Sequence, residues 1–316
     1  MEFDLIERIR RHTDVQRDDV VTGIGDDAAV VAVPAGHELA IAVDTLVEGI
    51  HFPVGTAPAD IGWKALAVNL SDLASMAATP AWALLALTLP KPDEAFIDGL
   101  ARGFAELASP FRLALIGGDT TRGPLTVTVT VHGFTTPGQA LLRNGARVGD
   151  AVMVTGTLGD AAAGLRCLAE ADPTPYAGLI ERLNRPTPRV AAGLALRGIA
   201  TACIDVSDGL VADLGHICKQ SGVAAEIDPA LLPFSSAMLT HFHDSDAVDF
   251  ALSGGDDYEL CFTVPSEKAN EVAADLARVG CGATRIGRIV EGSGVRIIGA
   301  GGETHAPARS GWNHFA

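Results

Sequence analysis

The sequence predicts an α/β chain of mixed sheets arranged as two lobes, and three observations predict it. Apolar runs of strand length alternate with alanine- and leucine-rich helical stretches along the whole chain. Gly 35 and Pro 17 among 316 residues supply many tight strand–helix turns. Short motifs of the first half also echo in the second. Ser71-Asp72-Leu73 resembles Ser207-Asp208-Gly209-Leu210, and Gly117-Gly118-Asp119 resembles Gly254-Gly255-Asp256. Two related lobes facing across a cleft explain such an echo, although three-residue matches also recur by chance in a glycine-rich chain.

The elements follow in order. Residues 4–12 form a short amphipathic helix, then strands at Ala29–Val33 and Leu39–Val43. Pro58 opens a helix over 58–78, since its fixed φ suits a first helical turn. Trp82–Leu89 reads as a buried strand. Asp93–Ala108 is a helix with acids at its positive end. Leu113–Ile116 is a strand. Leu125–Val131 alternates Leu-Thr-Val-Thr-Val-Thr-Val, the period-2 pattern of a strand whose mildly polar face suits another sheet or subunit. Thr135–Gly149, with Pro137 and three glycines, reads as the junction, giving domains 1–140 and 141–316. Beyond it come strands at Ala151–Val154, Thr201–Ile204, Leu260–Val264 and Val295–Ile298. They alternate with helices at Asp160–Glu170, Arg189–Arg197, Leu210–Gln220 and Glu267–Val279.

Composition removes several classes of function. At 48% hydrophobic and 20% charged, the chain builds a sizeable core without disulfides. A net charge of −16 argues against nucleic acid and anionic membranes as partners. No apolar run reaches the roughly 20 residues of a membrane span. The five cysteines have no CxxC spacing and read as buried thiols of a reducing compartment. The N-terminus has no signal-peptide pattern, so the expected location is the cytoplasm.

The chemistry rests on acidic residues set beside glycine, serine or other small residues. The motifs are Gly25-Asp26-Asp27, Val43-Asp44-Thr45, Ser71-Asp72, Gly117-Gly118-Asp119, Asp205-Val206-Ser207-Asp208 and Gly254-Gly255-Asp256-Asp257. Gathered together, such carboxylates repel unless a cation holds them. Hard oxygen ligands with room for water suit Mg²⁺, which commonly shares a site with substrate phosphates. Each motif also has a plainer reading. Gly25-Asp26-Asp27 reads equally well as a turn, and Ser207 or Asp208 as a helix N-cap. Asp44 reads as the end of an apolar strand, aimed into a crevice that Asp119 shares, or as a cap. Asp72 stands inside an apolar helical stretch, where a charge needs a partner or a ligand. His51 is structural or functional with even weight. Arg143 is a hinge salt bridge or a phosphate clamp, and Trp312 is packing or a ring-stacking surface. No GxxxxGK[ST], no GxGxxG opening a helix and no protein-kinase signature occurs, so any phosphate site is built differently.

In order along almost the whole chain, these segments resemble the thiamine-monophosphate kinase family. The matching runs are Gly23–Asp27, Asp44–Val47 with His51-Phe52, Lys64–Ala74, Ile116–Pro124, Val154–Gly159, Arg185–Arg189, Ile204–Leu210, Ser253–Leu260, and Trp312 with His314-Phe315. The resemblance implies the two-lobed fold of aminoimidazole ribonucleotide synthetase, with an N-terminal lobe that forms a homodimer. It implies Mg²⁺-assisted transfer of the γ-phosphoryl of ATP to thiamine monophosphate, with no general base. It further implies that Asp27, Asp44, Asp72, Asp119 and Asp205 hold several Mg²⁺ ions and that Asp208 binds another. Gly118, Asp119, Arg143 and Ser207 would contact ATP, and His51, Asp256 and Trp312 the substrate. The chain departs from the family in two places. Ala42 and Val43 stand where Ser-Thr is usual, and Asp256 where many members carry Glu. Two rivals are a superfamily enzyme with another acceptor and a non-catalytic binding protein. The first is disfavoured where it needs an N-terminal catalytic cysteine, because the first cysteine is Cys167.

Overall fold

The structure, a computed structural model, describes residues 2–299, 304–305 and 311. The chain divides into two compact units, Met1–Leu73 with Ala78–Gly138, and Ala74–Ala77 with Gln139–Ala316.

The first unit contains α1 (Glu2–Thr13), β1 (Val20–Thr22), β2 (Val30–Val31), β3 (Glu38–Val47), α2 (Pro58–Ser75), β4 (Thr79–Leu89), α3 (Glu94–Ala108), β5 (Ala114–Arg122) and β6 (Thr126–Thr135). β1 and β2 form a small hairpin, and the main sheet runs β3-β6-β4-β5. β3 and β6 pair antiparallel from Glu38↔Thr135 to Val47↔Thr126, while β4 and β5 are parallel. The Thr/Val alternation of β6 is the two-faced strand that its period-2 pattern predicts. Val127, Val129 and Val131 are fully buried, while the threonines between them are half-buried. The opposite face is less covered on β3, where Ile41 and Val43 are 60% and 58% exposed. α3 starts at an Asp93 cap whose side chain accepts the Phe96 N–H. α1 is tied to α3 through Arg8, which bonds Asp98 at 2.9 Å and Glu94.

The second unit contains β7 (Ala151–Thr155), α4 (Asp160–Cys167), α5 (Ala177–Asn184), α6 (Val190–Leu196), β8 (Ala202–Asp205), α7 (Leu210–Ser221), β9 (Ala224–Ile227), α8 (Ser236–His241), α9 (Asp244–Ser253), β10 (Leu260–Val264), α10 (Ala269–Arg278), β11 (Ala283–Val290), β12 (Gly294–Ile298) and β13 (Thr304–His305). Its sheet runs β13-β12-β9-β11-β7-β10-β8, antiparallel except between β9 and β12. Val152, Val154, Ile204, Leu214, Ile217 and Ile286 are among its fully buried core residues. No helix among the described residues is long and apolar enough to cross a membrane.

Several elements depart from expectation. α2 stops at Ser75, short of residue 78, because Ala77 takes a left-handed φ of 53° and turns the chain directly into β4. α4 ends at Cys167 instead of Glu170. Asp44 lies inside β3 and not at its end, since Thr45, Leu46 and Val47 continue the pairing with β6. Gly117-Gly118-Asp119 lies within β5, not in a turn after it, and keeps register with β4 through Ala86↔Asp119. The echo between the halves does not survive in the backbone. Ser71-Asp72 is mid-helix while Ser207-Asp208 is irregular, and Gly117-Gly118 is strand while Gly254-Gly255 is loop.

Candidate active site

In the first unit, the β3/α2 seam is set by Asn69. This residue is fully buried, and its Oδ1 accepts the Asp44 N–H at 3.0 Å while its Nδ2 donates to the Ala65 carbonyl. Asp72 lies three residues further along α2, on the same helical face. Asp44 and Asp72, both half-buried, therefore belong to one seam. Asp119 does not join them there. β3 and β5 are opposite edges of the sheet, with β6 and β4 between them, so the two strands are separated by roughly 14 Å at ordinary strand spacing. The shared crevice expected for Asp44 and Asp119 is not produced by strand adjacency.

Gly118 is obligatory on β5. Its φ is +155°, and a Cβ there would be driven into the Leu85 carbonyl oxygen. Asp27 is exposed in a turn closed by its neighbour, with the Asp26 side chain accepting the Asp27 N–H at 2.9 Å. Asp26 is thus engaged with the local backbone, and the Asp27 carboxylate is exposed. His51 is held locally. Its Nδ1 accepts the Val47 N–H at 3.0 Å, and its carbonyl accepts from the buried Lys64 Nζ at 3.1 Å. An accepting Nδ1 puts the proton of the neutral ring on Nε2. A cavity of about 200 Å³ lies beside Gly23 and Ile24, lined also by Arg10, Arg17 and Ile116. None of the expected site residues lines it.

In the second unit, two acidic loops are knitted into one body. The Val206 N–H donates to the Glu259 carbonyl at 2.8 Å, the Asp256 N–H to the Ser207 carbonyl at 2.9 Å, and the Tyr258 N–H to the Val206 carbonyl at 2.8 Å. Ser207, Asp208 and Asp256 thereby lie on adjoining loops, with Asp205 just before the first of them. Asp205 is 4% exposed at the end of β8, and Ser207, Asp208 and Asp256 are half-buried. Asp256 and Tyr258 carry positive φ values of 68° and 51°. Such conformations cost about 1–3 kcal/mol each and persist where the surroundings impose them. The Tyr258 hydroxyl also donates to Asp256 Oδ1 at 2.9 Å. Neither Ser207 nor Asp208 caps α7, because the cap position is Gly209, which has no side chain to bond. Arg143 is exposed in the irregular stretch before β7. Trp312 lies outside the described residues. A Cβ added at its neighbour Gly311 would collide with the Asp208 carbonyl and the Ala212 Cβ.

Sequence reasoning missed the supporting roles of the residues beneath these loops. Asp213, in the first turn of α7, accepts N–H bonds from Ser207, Asp208 and Gly209 on one oxygen. Burial, reinforced by the charges of Asp205 and Asp208, pushes its carboxyl up to about 7. Glu259 is fully buried and accepts from Arg189 Nε at 2.6 Å, Arg182 Nη2 at 2.8 Å and Thr155 Oγ1 at 2.7 Å. A Cβ on Gly156 would collide with that carboxylate. Asp257 is buried beside it and accepts the Gly159 N–H on Oδ2. Its Oδ1 has no partner among the described residues, and burial pushes its carboxyl well up. Glu259 and Asp257 stand inside a quoted motif. Their signal was the run of acids beyond what a turn needs.

Among the described residues, no three His, Cys, Asp or Glu side chains gather closely enough to hold an ion alone. Mg²⁺ takes one or two carboxylates and completes its shell with water and substrate phosphates, and the individual aspartates are donors of that kind.

Family models match both halves. The AIR synthase related protein N-terminal domain matches residues 25–135, and the C-terminal domain matches 147–300. Thiamine-monophosphate kinase of Escherichia coli K12 is 48% identical over 321 aligned residues, covering 100% of this chain and 98% of that protein. The crystal structure of thiamine-monophosphate kinase from Stenotrophomonas maltophilia K279a is 51% identical with a TM-score of 0.88, covering 96% of this chain and 98% of that one. The structure of AaThiL complexed with AMPPCP and TMP is 33% identical with a TM-score of 0.78, covering 99% and 97%.

Proposed function

The chain belongs to the thiamine-monophosphate kinase family, and on that premise we propose that it transfers the γ-phosphoryl of ATP to thiamine monophosphate, making thiamine diphosphate and ADP. The observation that carries this reading is the end-to-end identity with the E. coli kinase. The acceptor is a phosphate oxygen that is already ionised at neutral pH, so no general base is assigned. Catalysis is positioning plus neutralisation of charge on an in-line transfer.

In this reading, Asp27, Asp44, Asp72 and Asp119 of residues 1–140 and Asp205 of residues 141–316 are Mg²⁺ ligands, and Asp208 holds a further ion. The spread of Asp44 and Asp119 to opposite sheet edges favours several ions over one. When bound, Mg²⁺ supplies charge neutralisation to the phosphates. The Gly118 backbone, Arg143 and Ser207 contact ATP, with Asp119 beside them. His51, Asp256 and Trp312 contact thiamine monophosphate. Asp256 is shorter than Glu, and the Tyr258 hydroxyl bond fixes its carboxylate in place of reach. Ala42 and Val43 leave only backbone oxygens for any metal contact there.

The protein works as a homodimer through the first unit. Support comes from the β3 face, where Leu39, Ile41 and Val43 are exposed beside Thr45, whose hydroxyl bonds that of Thr128 at 2.9 Å. Ile41→Lys is expected to turn a dimer into a monomer in light scattering, and a wild-type monomer would refute the interface. The cytoplasm is the compartment, consistent with five buried free thiols. Metal dependence tests the catalytic reading. Turnover is expected to vanish after EDTA treatment and return with graded Mg²⁺, whereas full turnover in EDTA would overturn it.

A further inference from the structure

One carboxylate in the second unit does work that the reaction itself does not require of it. Asp213 is 3% exposed. Its Oδ2 accepts three consecutive backbone N–H groups, from Ser207 at 3.0 Å, Asp208 at 3.1 Å and Gly209 at 3.2 Å. Its own N–H donates to the Gly209 carbonyl at 3.0 Å. The bond therefore closes on itself. The first turn of α7 holds the loop that leads into it, from inside the helix.

Ordinary capping does not account for this arrangement. An N-cap is usually a Ser, Thr, Asn or Asp placed just outside the helix, half in water. Here that position is Gly209, with no side chain to offer. The acceptor is instead a carboxylate buried close to Asp205 and Asp208, where each further negative charge is costly. What this arrangement achieves, and an outside cap does not, is to fix the peptide planes of residues 207–209 together. The Ser207 carbonyl is fixed in turn by the Asp256 N–H at 2.9 Å. The loop is held from both sides, and Asp213 is the only side chain among the described bonds that grips three of its N–H groups.

We infer that Asp213 is the positioning residue of the 205–209 loop, setting the direction in which Ser207 meets the nucleotide and Asp208 meets its divalent cation. The inference rests on the roles given to Ser207 and Asp208 under Proposed function. The role of Asp213 in this inference is that of a positioning residue, since its side chain is engaged with backbone N–H groups. It acts through the backbone of Ser207 and Asp208.

The test compares D213A, D213N and D213E with S207A and D208N in the full-length protein. It reads the KM for ATP, the Mg²⁺ concentration for half-maximal rate, and Tm. D213A is expected to raise both ligand requirements by about tenfold or more, the usual effect of losing an outer partner of a ligand. D213N keeps one accepting oxygen and is expected to stay within about threefold of wild type. D213E keeps the charge but displaces it by one methylene, so it should behave like D213A, and it serves as the test where D213A does not fold. A purely structural role would lower Tm and leave both ligand requirements unchanged, and that result overturns the inference. So does D213N as impaired as D213A, which would make charge rather than placement the cause. If S207A and D208N themselves leave the ATP and Mg²⁺ requirements untouched, the loop assignment fails and the inference falls with it. If they shift and D213A and D213E do not, only the role of Asp213 falls.

Discussion

The two units carry their acidic residues in opposite ways. In the first, Asp27 and Asp119 are exposed, Asp44 and Asp72 are half-buried, and strand order keeps Asp44 and Asp119 on opposite edges. In the second, Asp205, Asp213, Asp257 and Glu259 are buried, and backbone bonds between two loops hold them in a single body. Exposed carboxylates such as Asp27 and Asp119 cost the fold little. Carboxylates buried together must be satisfied internally, by Arg182 and Arg189 at Glu259 and by backbone N–H groups at Asp213. The second arrangement ties its acids into a rigid body. In the functional reading proposed above, substitution of the first-unit aspartates should change activity with little change in stability, and substitution of the buried Glu259 should change stability first.

The largest expected effect tests the first unit. Asp119→Asn and Asp44→Asn should each lower kcat/KM by about a thousandfold, or ~4 kcal/mol of transition-state stabilisation. The melting temperature of Asp119→Asn should stay within about 2 °C of wild type, as for a surface change worth under ~0.5 kcal/mol, and that of the isosteric Asp44→Asn should fall little. Normal turnover in both would break the comparison at its first term. Next is Glu259→Gln in the second unit. Leaving two guanidinium groups short of their buried partner should cost about 3 kcal/mol in urea unfolding. An unchanged midpoint would mean that the Arg182–Glu259–Arg189 cluster is not what holds the loop.

A smaller effect concerns Asp257. Burial raises its folded-state pKa above the unfolded value of 3.8, so folding takes up a proton there. The stability that this group contributes is complete below pH 3.8 and is lost as pH rises toward the folded value. Asp257→Asn cannot ionise and escapes that loss. The variant should gain on wild type as pH goes from 4 to 8, and a gap independent of pH would contradict the burial account. The smallest effect concerns thiols. All five cysteines are buried, and burial pushes each thiol up, Cys218 to about 11. Alkylation of the native protein at pH 7.5, about one unit below an ordinary thiol pKa, should therefore be far slower than after unfolding.

The same contrast explains how much was legible in the sequence. Long periodic segments such as β6 and α3 declared themselves, because their burial alternates with the period of the element. Short elements did not. β9 is Ala224-Ala225-Glu226-Ile227, too brief and alanine-rich to read as a strand, and β11 hides behind Arg285, Gly287 and Arg288 and an irregular register. Gly117-Gly118-Asp119 suggested a turn because those residues favour turns, yet pairing with β4 carries the strand through them. Among the expected site residues, loop membership was readable for Ser207 and Asp256, whereas Asp205, expected just after its strand, is the last paired residue of β8, and the bonds that join the two loops are backbone bonds. Backbone bonds leave no mark on residue identity. Asp213 was readable only by asking why an acid follows a glycine cap by four residues.

The measurement that bears most directly on the account is product analysis with ATP, Mg²⁺ and either thiamine monophosphate, thiamine or no acceptor. Thiamine diphosphate and ADP formed in equal amounts, and only with thiamine monophosphate, is the predicted result. ADP formed without thiamine diphosphate, or phosphorylation of thiamine in its place, would contradict it.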